Sequence, residues 1–229
     1  MTWRIKMNKD IRIAVIGAGA IGGITAGFIA EAGYDVELVC KHQVIVEKVN
    51  SGLEIVGARG EHIEKIKAVK EIHELSCKKD YIFIATKTYD MPKACKQVLK
   101  FANKNTLFLS MQNGISIDAM AEVVGEERTV GCVVGFGATM LNPGILEMTS
   151  SGELLIGMNK ENQKLDELKR ILDNVVETNI SDDIFSELYS KLIVNSCISA
   201  LGAISGLYLG EMLKLKKARE LFIAIMEGQ

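Results

Sequence analysis

The chain is poor in residues that mark several whole classes of protein. Only 2 of its 229 residues are proline, so Pro-rich linkers are excluded. Histidine occurs 3 times, at His42, His62 and His73, with no carboxylate cluster of ligand spacing nearby, so no metal site is expected. The 5 cysteines, Cys40, Cys77, Cys95, Cys132 and Cys197, are odd in number, widely spaced and form no C-x-x-C pair. That pattern argues for free thiols in a reducing cytoplasm rather than a disulfide frame. An excess of one charge is missing too. The 27 basic and 29 acidic residues are interleaved and leave a net charge of −2, with no electrostatic footprint for nucleic acid or an anionic membrane. No nucleic-acid partner and no membrane partner is expected, and small-molecule chemistry remains. A hydrophobic fraction of 48% and a charged fraction of 24% fit an ordinary globular chain, long enough for one large domain or one and a half.

What is present centres on Arg12 to Gly23, RIAVIGAGAIGG. Ile11, Ile13, Val15 and Ile16 form a nearly continuous apolar run, the pattern of a strand buried on both faces of a parallel sheet. Gly17, Gly19 and Gly22 follow with the G-x-G-x-x-G spacing. The first glycine permits a sharp turn, the second a close approach to a pyrophosphate, and the third close helix–strand packing. A helix over Ile21 to Ala32 would aim its free N–H groups at phosphates, with Gly33 as its C-cap and a second strand over Val36 to Val39. The turn residues Gly17, Ala18, Gly19, Ala20, Ile21 and Gly22 are therefore candidate dinucleotide contacts. A signal peptide or membrane helix over Ile11 to Ala30 is the weaker reading, because the glycines keep the dinucleotide spacing. The six residues ahead of Met7 read as an extended or alternative start.

After Val39 the chain carries Cys40-Lys41-His42, where NAD-binding folds often place an acid for the ribose hydroxyls. Lys41 tilts the choice to NADP(H), against the plainer reading of a solvated lysine. A short helix is predicted over His42 to Asn50 and a loose hairpin over Gly52 to Lys67. Strands are predicted at Tyr81 to Ala85, Thr106 to Ser110 and Val130 to Gly137. The first delivers Lys87, and the second Asn113, to the strand ends where ligands sit. Asn113 precedes Gly114, so plain turn chemistry competes for it. Leu146 to Met148 and Glu153 to Ile156 read as a hairpin around Ser150-Ser151-Gly152 that extends the sheet. Helices are predicted over Met91 to Ala102, where Pro92 fits the first turn, and over Lys164 to Val176. Ile184 to Ala203 is a further apolar helix, on which Lys191, Asn195 and Ser199 share one face at a spacing of four. A lysine there either snorkels outward or serves chemistry.

The segments GAGAIGG, ATKTYD, QNG, GFGATMLNPGILEMTSSGELLIG and SELYSKLIVNSCISAL together resemble the ketopantoate reductase family (2-dehydropantoate 2-reductase), in consistent order from Asp10 onward. The resemblance implies an α/β, Rossmann-type doubly wound parallel sheet domain over residues 1–179. A helical substrate domain would follow, shortened here to residues 180–229. It implies NADPH-dependent, cytoplasmic reduction of ketopantoate to pantoate in coenzyme A biosynthesis, with Lys191 as the proton donor. Asn195 resembles the substrate-binding neighbour, with Ser199 on the same wall, and Asn113 the asparagine touching both nicotinamide and substrate. Lys87, Ala138 and Lys41 correspond to NADP contacts, Lys41 near the 2′-phosphate.

Two departures bear on this expectation. Ser199-Ala200 stands where many members carry Asn-Pro, and Leu209 where a substrate-contacting asparagine can occur. The family also continues for several helices past the position of Gln229, which leaves apolar faces from Leu207 to Met226 either for a missing segment or for a second subunit in a homodimer. A relative acting on another 2-oxo acid, or a catalytically impaired nucleotide-binding fragment, are the alternatives.

Overall fold

The computed structural model describes residues 10–160 and 162–228. The stretch ahead of Met7 lies outside them. The elements run in the order β1 (Arg12–Ile16), α1 (Ala20–Glu31), β2 (Asp35–Val39), α2 (Gln43–Ser51), β3 (Leu53–Gly57), β4 (His62–Glu64), β5 (Lys67–Val69), β6 (Lys79–Ile84), α3 (Met91–Val98) and β7 (Ala102–Ser110). Then come α4 (Ile117–Val124), β8 (Thr129–Val134), β9 (Gly137–Asn142), β10 (Ile145–Ser150), β11 (Leu154–Gly157), α5 (Leu165–Leu172), β12 (Thr178–Ile180), α6 (Ile184–Ser205), α7 (Leu209–Met212) and α8 (Lys216–Glu227).

The main sheet has 8 strands in the order β12-β11-β8-β7-β6-β1-β2-β5. The strands from β8 to β5 are mutually parallel, and β11 runs antiparallel to β8. Alternation along the central strands divides the core in two. Ile13, Val15, Tyr81, Phe83, Leu107 and Leu109 face one side with α1 and α5, whereas Ala14, Ile16, Ile82, Ile84 and Phe108 face α3 and α4. Both faces are covered, which is why these strands read as unbroken apolar runs.

A second sheet, β4-β3-β10-β9, covers the far side of α1. The small residues of that helix make this sandwich feasible: a methyl on Gly23 would stand 2.4 Å from Leu146, and one on Gly27 2.4 Å from Ile55. The expected hairpin around Ser150-Ser151-Gly152 is therefore incorrect. β10 pairs with β9 and β3 in the second sheet, while β11 returns to the main one. The strand expected over Val130 to Gly137 also ends early, at Val134. Gly135 breaks it, donating its N–H to the Glu153 carbonyl at 2.8 Å. The main sheet extends through Ile180, so an expected division after residue 179 would cut β12.

α6 begins at a true cap, the Asp183 carboxylate accepting from the Ser186 N–H at 3.1 Å, and ends at Gly206 in the left-handed region, φ +68°. Its first turns lie in a groove on β8 and β11 that only glycine leaves open: a methyl on Gly131 or on Gly157 would stand 2.7 Å from Ile184. Among the described residues it is the one helix long and apolar enough to cross a membrane, and 17% of its apolar window is buried.

One buried charge cluster stands out at the other end of the sheet. Glu37 on β2 is 1% exposed and Lys79 on β6 0%. Glu37 is paired with the Lys79 and Lys67 ammonium groups and accepts from the N–H and hydroxyl of Ser76, each at 3.0 Å. Burial alone would raise the Glu37 carboxyl, but the hydrogen bonds from Lys67, Lys79 and Ser76 outweigh it and hold the pKa down to about 2. The unfolded chain, with the ordinary value of 4.5, takes up this proton first as pH falls. The stabilisation is full above about pH 4.5 and is lost as pH falls toward about 2. Urea midpoints measured across that window should drop steeply in the wild type and flatten in Glu37→Gln. An identical slope in both would remove Glu37 as the cause.

Candidate active site

The carboxyl ends of the parallel strands form a crest, and each loop there is tied to its neighbour. The N–H of Gly17 donates to the Val39 carbonyl at 3.0 Å, that of Ala85 to Ile16 at 2.9 Å, and that of Met111 to Ile84 at 3.0 Å. Gly17 sits at φ +115°, and a methyl on it would meet the Ala85 carbonyl carbon at 2.7 Å. Gly22 is pressed onto the same turn, where a methyl would stand 2.1 Å from the Gly17 carbonyl oxygen. Gly19 differs: among the described residues nothing lies within 4 Å of the place its Cβ would take. It is the N-cap of α1, with no side-chain capping bond, and there is no acid in the first turn. The opening N–H groups of α1 therefore face an open cradle of the kind that holds a pyrophosphate. The residues fit a dinucleotide.

That division of labour gives a paired expectation. Gly19→Ala should fold with an unchanged melting temperature and bind dinucleotide about tenfold more weakly. Gly22→Ala should lose about 1–3 kcal/mol or more of stability, because the turn has to move. Thermal melts and calorimetric titration read both, and a stable Gly22→Ala variant with intact binding would contradict the packing role.

Around the cradle the candidate residues are distributed unevenly. Lys41 follows β2 by two positions, its side chain 73% exposed and 3.6 Å from the Asp90 carboxylate. Lys87 is exposed in the loop after β6. Asn113 is exposed after β7, on a loop held by Gln112, whose amide donates to the Thr86 carbonyl at 2.8 Å, and by the Ser110–Ser116 hydroxyl pair at 2.8 Å. Ala18 is buried, Ala20 and Ile21 are half-buried in the first turn of α1, and Ala138 is half-buried on β9.

Lys191 reaches the crest from α6. Its ammonium donates to the carbonyl of Val134, the last residue of β8, at 2.5 Å. Burial lowers its pKa from the ordinary lysine value, with the nearby Cys132 thiol opposing the shift. One N–H is thus spent on the backbone, and two remain for a ligand. Asn195 is half-buried one turn along, about 6 Å by helical rise, and Ser199 is exposed about 12 Å along. The structure thus brings Lys191 to the strand ends and leaves Ser199 outside. Two contributors were not legible beforehand: the Val134 carbonyl, which carries no side-chain signal, and Gln112, which braces the Asn113 loop.

A glycine-cradled parallel sheet with an appended helical segment that sets a lysine at the strand ends defines a Rossmann-type nucleotide-binding protein with a helical second part. Residues 13–161 match the family described as Ketopantoate reductase PanE/ApbA, and the chain belongs to that family. It is 31% identical over 198 residues to the 2-dehydropantoate 2-reductase of Pyrococcus abyssi, covering 85% of this chain and 64% of that protein. The chain thus spans under two thirds of that relative. A PanE/ApbA family ketopantoate reductase from Ralstonia eutropha JMP134 superposes with a TM-score of 0.84 at 26% identity, covering 95% of this chain and 72% of that one. A D-mandelate dehydrogenase structure holding NADH and anilino(oxo)acetate shares the fold, with a TM-score of 0.84 at 22% identity over 93% of this chain and 70% of that one.

Proposed function

We propose that this chain is a cytoplasmic NADPH-dependent reductase that converts ketopantoate (2-dehydropantoate) to pantoate, a step of pantothenate and coenzyme A biosynthesis. The observation that carries the reading is the Lys191 ammonium at the end of β8, on the crest that also holds the glycine cradle. Bound NADPH supplies a hydride to the ketone carbon. Negative charge then grows on the ketone oxygen, and Lys191, with its lowered pKa, gives that oxygen a proton. Asn113 and Asn195 orient the substrate, with Ser199 at its outer rim. The turn from Gly17 to Gly22 with Ala18, Ala20 and Ile21 seats the pyrophosphate, Ala138 and Lys87 line the cofactor, and Lys41 meets the 2′-phosphate. The sheet-bearing part through Ile180 serves as the NADP-binding domain, and the helices from Ile184 onward start the substrate domain. Exposed Leu192, Val194, Ile204, Leu213 and Ile223 on the helical part support a homodimer through its uncovered apolar surface.

The test is NADPH oxidation by the purified chain against ketopantoate and a panel of 2-oxo acids. Ketopantoate turning over fastest supports the proposal, and absence of turnover with every 2-oxo acid contradicts it. A second reading, reduction of a different 2-oxo acid, is favoured by Leu209 and Ser199, which offer no amide, and by the fold shared with D-mandelate dehydrogenase.

A further inference from the structure

Lys41 does not stand alone where the adenosine ribose is read. The Asp90 carboxylate, from the loop after β6, lies 3.6 Å from its ammonium. Asp90 occupies the N-cap position of α3, where an Asp ordinarily accepts hydrogen bonds from first-turn N–H groups. It makes no such bond. Pro92, at the second helical position, has no N–H to offer, and the carboxylate turns out of its own helix toward Lys41. The two side chains are 73% and 42% exposed, so solvent screens the pair and either partner can exchange it for a ligand at small cost.

The ligand chemistry at this point is either a ribose 2′-phosphate dianion or a free 2′,3′-diol. A lone cation selects the phosphate, and a lone carboxylate selects the diol by accepting its O–H and repelling the phosphate. Both groups are present here. Resting on the dinucleotide reading above, we infer that Asp90 is a specificity-determining residue that holds back the preference of this site for a 2′-phosphate, so that NADH is accepted beside NADPH. A phosphate has to draw Lys41 away from Asp90 and then sit beside a like charge. A diol leaves the ion pair in place and finds an acceptor in the same carboxylate.

Calorimetric titration of NADPH and of NADH into the purified chain, without any 2-oxo acid, tests this independently of turnover. Asp90→Asn keeps the size and removes the charge; it should tighten NADPH about threefold to tenfold and leave NADH unchanged or weaker. Asp90→Ser should reproduce the shift, Lys41→Ala should move the preference the opposite way, and added salt should shrink the NADPH gain. An NADPH-to-NADH ratio that stays the same in both Asp90 variants, with wild-type melting temperatures, overturns the role of Asp90 and leaves the dinucleotide site standing. A wild-type chain that binds neither dinucleotide overturns both.

Discussion

Lys191→Ala should lower the turnover of ketopantoate reduction about a hundredfold or more while leaving NADPH affinity within about twofold of the wild type. The asymmetry follows from where the nitrogen sits. Its hydrogen bond among the described residues runs to the Val134 carbonyl, on the sheet rather than in the glycine cradle, so its removal should leave that cradle intact. On the proposed mechanism, what is lost is the proton for the ketone oxygen. The pH dependence carries a sign as well. The proposed proton transfer needs the protonated amine, whose pKa burial lowers, so the rate should fall as pH rises through a value below the ordinary lysine range. That limb should vanish in Lys191→Ala. Equal turnover in the two proteins, or a parallel loss of NADPH binding, would remove Lys191 from the chemistry.

Lys79→Met should cost about 3–5 kcal/mol of unfolding free energy in equilibrium urea titrations. Lys79 is 0% exposed, and its ammonium is paired with a carboxylate that is itself 1% exposed. Removing the cation leaves Glu37 buried with Ser76 and with Lys67, whose own side chain is 53% exposed. The carboxylate then has to be neutralised or left poorly compensated, and that penalty exceeds any gain from a more apolar side chain. The double replacement Glu37→Leu with Lys79→Met should recover most of the loss, because no isolated charge remains inside. A single-variant loss below about 1 kcal/mol, the scale of an exposed ion pair, would mean that water reaches the cluster.

The parts of the fold legible in the sequence are those specified locally. An unbroken apolar run and the backbone demands of the glycines fix β1, the glycine turn and α1, and the structure carries them at Arg12–Ile16 and Ala20–Glu31. The apolar spacing from Ile184 onward likewise predicts α6, seen at Ile184–Ser205. The second sheet was not legible, because nothing near Ser150 says that β10 and β11 part company. Their partners are chosen by distant surfaces: the face of α1 opened by Gly23 and Gly27 for one, and β8 for the other. For the same reason the sequence shows the site as a set of candidate side chains without their ties. The Lys41–Asp90 pair joins two loops, the Gln112–Thr86 bond two more, and Lys191 is held by a backbone carbonyl that no residue type announces.

For the proposed reduction to occur, the Lys191 ammonium and the cradle at Gly17 to Gly22 have to face one reaction space. A crystal structure with NADPH and ketopantoate bound tests this arrangement most directly. The pyrophosphate should lie on the opening N–H groups of α1, and the ketone oxygen within about 2.6–3.2 Å of the Lys191 nitrogen. A dinucleotide seated away from Gly19, or a ketone oxygen beyond hydrogen-bond reach of that nitrogen, would contradict it.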